Sequence, residues 1–204
     1  VFRLNAPHPP QIVVVDDFYA DPDLVRDFAL RQPFAEDVRY FKGQRTLEPF
    51  RFPGIREHFR RLLRAQITRW DVPVNGVFQM CTAADQLVYH ADTQLYAGTV
   101  YLTPNAPPQS GTSFWRSRAH PAVRRWPAEL PYETVFPTGH YDRTQFELVD
   151  IVGNVYNRLV LWDAHLLHSA SEYFGDRLEN SRLFHLFFFD IETIVTPPGQ
   201  AAPQ

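Results

Sequence analysis

The chain has 204 residues, 45% of them hydrophobic and 21% charged, a globular composition long enough to bury one core without disulfide or metal staples. A net charge of -3 argues against nucleic acid or an anionic membrane as the main partner, and no apolar run reaches the length of a membrane span. Cys81 is the only cysteine, so no intrachain disulfide forms and a reducing, cytoplasmic setting is expected. Val1 to Pro10 lack the layout of a signal peptide, although a chain starting without Met allows a processed N-terminus.

Residues 11–19 (QIVVVDDFY) read as a short buried strand. Asp21 then serves as an N-cap, with Pro22 at the first helical position and Val25, Phe28 and Ala29 as the apolar stripe. The Pro- and Gly-bearing passage 33–54 reads as extended and looping. Ile55, Phe59, Leu62, Leu63 and Ile67 recur at helical spacing, which predicts a second amphipathic helix. Its arginines, Arg56, Arg60, Arg61 and Arg64, form a solvated face.

From Val74 the pattern turns to strands: Val74 to Cys81, Tyr96 to Thr103, Arg158 to Trp162 and Leu183 to Phe189. Residues 104–150 hold seven prolines and little periodicity, the mark of a functional loop or lid. The Pro-rich tail after Ile194 is expected to fray. Helices followed by a run of strands predict a mainly β, α+β fold in one domain, a helix-supported β-sandwich or barrel. Its parts are an N-terminal strand and helices over 11–70, a β core over 74–190 with a lid insertion at 104–150, and a tail at 195–204.

His90-Ala91-Asp92 is the first chemical candidate, because residues two apart on a strand point the same way and can share a metal. Alone the triplet carries little weight: 8 His in 204 residues with this Asp content give roughly 0.5 such triplets by chance. A second copy, His140-Tyr141-Asp142, lies in the Pro-rich passage next to Gly139 and reads as a surface turn. His90 instead sits between two strands. Two histidines and a carboxylate on one face of an iron leave adjacent positions open, so the third ligand must come from a remote strand. His168 is preferred, followed by the small Ser169 and Ala170, with His165 as the alternative. Arg182 heads a strand on which Arg182, Phe184, Leu186 and Phe188 share one face. An arginine pointing into an apolar barrel needs an anion, and a ligand carboxylate held bidentately would supply one; a loop acid such as Glu179 is the alternative partner.

The segments HADTQLYAGTVYLTP, SGTSFW, RLVLWDAHLLHSA and RLFHLFFF resemble the double-stranded β-helix of the Fe(II)/2-oxoglutarate dioxygenases, in particular their prolyl-hydroxylase-like branch. The resemblance extends from Gln11 to Asp190. It implies a jelly-roll core, Fe(II) on His90, Asp92 and His168, and 2-oxoglutarate as cosubstrate held by Arg182 and Tyr101. Three departures stand out: Ser110 before Gly111 and Thr112 in the glycine turn, Thr103 where Asn is usual, and a long gap from His168 to Arg182 that brings in Arg177 as a fallback. The implied reaction consumes O₂, releases succinate and CO₂, and hydroxylates a substrate. Because halogenases of this kind lack the carboxylate, Asp92 argues against halogenation. The resemblance tilts the substrate toward an amino acid or peptide, with a small natural product also compatible. Trp115, Arg116, Arg118, His120 and Trp126 are candidate substrate contacts in the lid. The competing reading is a cupin-type metal enzyme that does not use 2-oxoglutarate and needs no Arg182.

Overall fold

A computed structural model describes residues 8–36, 42–121, 123–127 and 129–193. The tail after Ile194 and residues 1–7 of the segment read for a signal peptide lie outside them. Strand β1 (Ile12–Val15) leads to helix α1 (Pro22–Leu30), and Asp21 caps that helix by accepting the Leu24 N–H at 3.1 Å. Two short strands follow, β2 (Phe34–Glu36) and β3 (Gln44–Thr46), within the passage expected to loop. Helix α2 (Ile55–Leu63) stops earlier than its periodicity predicted. Arg64 turns left-handed, with φ of 51°, and Ile67 belongs to strand β4 (Ala65–Thr68). Ile67 is buried all the same, because period 2 and period 3.6 briefly place the same residue inward.

The remaining elements are β5 (Val77–Cys81), β6 (Tyr96–Tyr101), β7 (Thr112–Ser117), α3 (Tyr132–Val135), β8 (Phe146–Val152), β9 (Leu159–Asp163), β10 (His168–Ala170) and β11 (Arg182–Thr193). The major sheet runs β1-β9-β6-β11-β5-β3-β2, with β4 also on β11, and the minor sheet runs β10-β7-β8. Their pairings are antiparallel, giving the mainly β jelly roll expected. The stretch read as a lid, 104–150, holds β7 and the start of β8, so it builds the minor sheet as well as loops.

Strand β11 organises the core by its alternation. Leu183, Phe187 and Phe189 pack toward the helices, against Phe59, Leu63 and Ala29. Phe184, Leu186 and Phe188 face the other way, into a cluster with Tyr101, Phe114 and Trp162. His185, on the helix side, is fully buried; its Nε2–H donates to the Gly76 carbonyl at 3.0 Å, and its Nδ1 accepts the Tyr19 hydroxyl at 2.6 Å. The inner face of β11 thus leads directly to the chemistry.

Candidate functional site

His90, Asp92 and His168 each bring one ligand-type atom to a common point, all within 4.8 Å of one another. Backbone pairing fixes this convergence. His90 and His168 form an antiparallel bridge, and the Asp92 N–H donates to the Ala164 carbonyl at 2.8 Å. His168 begins β10 of the minor sheet, while the cavity beside it is walled by β11 of the major sheet. The metal-type atoms therefore lie between the two sheets.

Orientation of the rings is equally constrained. His90 Nδ1 lies 3.1 Å from the Val88 carbonyl and His168 Nδ1 lies 2.7 Å from the Leu166 carbonyl. A carbonyl only accepts, so both Nδ1 atoms carry the proton and both Nε2 atoms present a lone pair in the neutral ring. Burial, reinforced by the neighbouring His168, pushes the His90 pKa down to about 4, which favours that neutral form. His168 Nε2 stands 3.2 Å from Asp92 Oδ2, and His90 Nε2 stands 3.6 Å from Asp92 Oδ1. Burial raises the Asp92 carboxyl, but His90, His168 and Arg45 together leave it below its ordinary value. Asp92 Oδ2 is buried without a hydrogen bond. Lone pairs facing a carboxylate at these distances call for a cation between them, and this donor set fits a divalent one such as Fe(II).

Arg182 opens into the same cavity, with His90, Asp92, His168, Thr99, Thr112 and Tyr173 among its walls. The residue is only 4% exposed. Its Nε donates to the Ser110 carbonyl at 2.9 Å and one terminal nitrogen to the Gly111 carbonyl at 3.1 Å. The guanidinium lies over the Phe184 ring at 4.6 Å and the Tyr101 ring at 5.3 Å. Among the described residues it makes no ion pair, so the Glu179 alternative does not apply: Arg177 is the residue near Glu179, and it is exposed. Tyr101 is fully buried, with its hydroxyl 2.8 Å from the Thr112 hydroxyl.

Two of the three departures noted in the sequence have local explanations. Thr103 Oγ1 donates to the Ser181 carbonyl at 2.6 Å and accepts the Leu183 N–H at 3.0 Å, tying the end of β6 to the start of β11. The long gap before Arg182 is a loop folded on Asn180, whose Oδ1 accepts from the Asp176 and Arg177 N–H groups. That loop delivers Tyr173 to the cavity.

The other candidates fall elsewhere. His165 lies 2.9 Å from an Arg125 nitrogen and 3.5 Å from Asp163, outside both cavities beside the triad. Asp142 accepts from the Thr144 N–H, the Thr144 hydroxyl and the Thr138 hydroxyl, closing a turn. His140 joins the rim of the outer cavity rather than the triad. Trp115, Arg116, Arg118, His120 and Trp126, read as substrate contacts, line neither cavity. Trp115 is a buried strand residue donating to Ser169 Oγ, and Arg116 pairs with Glu147 across β7 and β8.

Sequence reasoning missed Lys42, Arg45 and Gln79. Arg45 and Gln79 line both the inner and the outer cavity, and Arg45 Nε donates to Gln79 Oε1 at 2.8 Å. Burial lowers the Arg45 pKa to about 10. A three-residue strand is too short for periodicity to register, so nothing in QRT pointed inward.

Solved structures share this fold at low identity. HygX from Streptomyces hygroscopicus, with nickel, 2-oxoglutarate and hygromycin B bound, is 13% identical, with a TM-score of 0.59 over 88% of this chain and 82% of its own. A prolyl hydroxylase from Trichoplax adhaerens, in complex with a hypoxia inducible factor oxygen degradation domain peptide fragment, is 13% identical, with a TM-score of 0.50 over 88% and 84%. What the chain shares with both is the fold, a jelly roll of two antiparallel sheets. A comparison with curated proteins finds no match. One family's sequence profile matches residues 4–181, and the chain belongs to that family, described as the family of unknown function DUF6445.

Proposed function

We propose that the chain acts as a single-domain, Fe(II)- and 2-oxoglutarate-dependent oxygenase, a hydroxylase of a small-molecule or peptidyl substrate. His90, Asp92 and His168 hold the metal, and Arg182 with Tyr101 holds the cosubstrate. One observation carries the reading. A buried arginine without an acidic partner among the described residues opens into the same cavity as the three converging ligand atoms. A buried cation of that kind needs an anion, and the far carboxylate of 2-oxoglutarate would supply it. A cupin-type enzyme working without 2-oxoglutarate leaves Arg182 unexplained.

Iron bound with 2-oxoglutarate supplies the O₂ chemistry, which splits the cosubstrate to succinate and CO₂ and hydroxylates a C–H bond. The residues of the chain do the rest. The Val88 and Leu166 carbonyls hold both imidazoles with Nε2 toward the metal. Asp92 would supply the anionic side-chain ligand, the carboxylate whose presence argues against halogenation. Phe184, Leu186, Phe188 and Trp162 supply the apolar part of the inner cavity's wall and restrict water there. No described helix is long and apolar enough to cross a membrane, and Cys81 is buried and free, in keeping with a cytoplasmic, reducing setting.

The test is anaerobic reconstitution with Fe(II) followed by addition of 2-oxoglutarate. The expected results are a weak visible charge-transfer band and, on admitting O₂, succinate. Iron bound with neither signal overturns the proposal, and O₂ turnover indifferent to 2-oxoglutarate favours the cupin-type reading.

A further inference from the structure

Outside the triad lies a second, larger cavity of about 370 Å³, walled by Lys42, Arg45, Gln79, Val88, His90, Ala91, Asp92, and the rings of Tyr132, His140, Tyr141 and Tyr173. It meets the inner cavity at Arg45, Gln79, His90, Asp92 and Tyr173. Arg182 lines the inner cavity and not this one, while His90 and Asp92 line both, so a molecule seated here would meet the metal ligands without touching Arg182.

The charge of that wall is lopsided. Among the described residues its one carboxylate is Asp92, which already faces two imidazoles at 3.2 and 3.6 Å. Against it stand Lys42 and Arg45. Lys42 forms no ion pair among the described residues; its ammonium rests 5.0 Å from the centre of the Tyr141 ring, at the outer end of the cavity. Its segment is anchored, since the Lys42 carbonyl accepts Gln79 Nε2 at 2.8 Å and the Gly43 N–H donates to Asp85 at 3.1 Å. Gly43 has φ of +69°, and a Cβ there would overlap the Met80 carbonyl, so the turn that aims Lys42 at the cavity needs glycine. An ammonium over an aromatic face, on an anchored segment and in a cavity walled by aromatic rings, is a receptor for an anion carried on an apolar or aromatic body.

Resting on the oxygenase reading above, we propose that the substrate carries a carboxylate, which Lys42 binds beside Tyr141, away from the inner cavity, while the carbon to be oxidised sits at the His90–Asp92 end, where Arg45 lines both cavities. Lys42 is a specificity residue that touches the substrate and leaves the cosubstrate to Arg182. The carboxylate belongs either to a free or N-acylated amino acid or to a peptide C-terminus, chemically the same group.

The test is calorimetric binding to the protein loaded with Ni(II) and 2-oxoglutarate, which does not turn over. The probes are N-acetyl-phenylalanine and an acetylated tripeptide ending in phenylalanine, each paired with its C-terminal amide. At least one free acid is expected to bind at millimolar concentration or better, with its amide weaker by about tenfold or more. Which acid binds identifies the source of the carboxylate. Lys42→Met should erase the acid–amide difference, Lys42→Arg should keep it, and both variants should bind 2-oxoglutarate as the parent does. Three results overturn the proposal: equal affinity for acids and amides, an acid preference that survives Lys42→Met, or no binding of any free acid. A failure of 2-oxoglutarate itself to bind the Ni(II) protein is the separate result that sinks the oxygenase reading.

Discussion

His90 and His168, 78 positions apart in sequence, exchange both backbone hydrogen bonds across an antiparallel bridge: His90 N–H to the His168 carbonyl at 3.0 Å and His168 N–H to the His90 carbonyl at 2.8 Å. Their rings lie 4.3 Å apart at an interplanar angle of 51°. The spacing is thus set by main-chain pairing before any metal arrives, which lowers the ordering cost of binding one.

His168→Ala should therefore remove metal binding, while His165→Ala, whose ring faces Arg125 and Asp163, should spare it. The loss at His168 should exceed the about 10–100-fold typical of supporting residues around a metal. Titration of the apoprotein with Fe(II) under argon, or with Ni(II), measures both; the reverse pattern means that the third ligand is misassigned.

Arg182→Ala should weaken 2-oxoglutarate binding by about tenfold to a hundredfold, the equivalent of about 1.5–3 kcal/mol for charge-assisted hydrogen bonds. Metal affinity should survive. Arg177→Ala should change neither, because that side chain is exposed beside Asp176 and Glu179. Unchanged 2-oxoglutarate affinity in Arg182→Ala would reduce the arginine to a brace for the Ser110–Gly111 turn.

Gly111→Ala should be destabilising and should also weaken the cosubstrate. A Cβ there would overlap the Val152 carbonyl on the neighbouring strand, and the Gly111 carbonyl accepts from Arg182. Overpacking against backbone typically costs about 1–3 kcal/mol. Thermal unfolding, together with 2-oxoglutarate titration below the transition, reads both effects.

Acid stability of the apoprotein should carry the signature of His185. Burial lowers its pKa to about 3 from an ordinary 6.5, and the Nδ1 that would take the proton already accepts the Tyr19 hydroxyl. The unfolded chain therefore binds the proton first. The stabilisation is complete above about pH 6.5 and is lost progressively as the pH falls toward 3. Urea unfolding between pH 7 and 4 should show stability falling with pH, and His185→Gln should flatten the slope; an unchanged slope would mean that other groups dominate.

Much of this molecule was legible along the chain. The Asp21 cap and the alternation that puts Arg182, Phe184, Leu186 and Phe188 on one cavity-facing side both followed from local period and turn chemistry. These are short-range rules, acting over two to four residues, so a single sequence contains them. Other features arose only when distant strands met. Arg45 and Lys42 acquired their positions from β3 pairing with β5, and Tyr173 from a loop folded on Asn180. Trp115, read as a lid residue, became part of the minor sheet because β7 found β8 and β10 as partners. Pairing over such separations depends on which strands close the barrel, and no local pattern records that. Sequence alone determined which residues have the chemistry to hold a metal and an anion; the tertiary structure decided that they share one cavity and that a second, cationic one opens beside it.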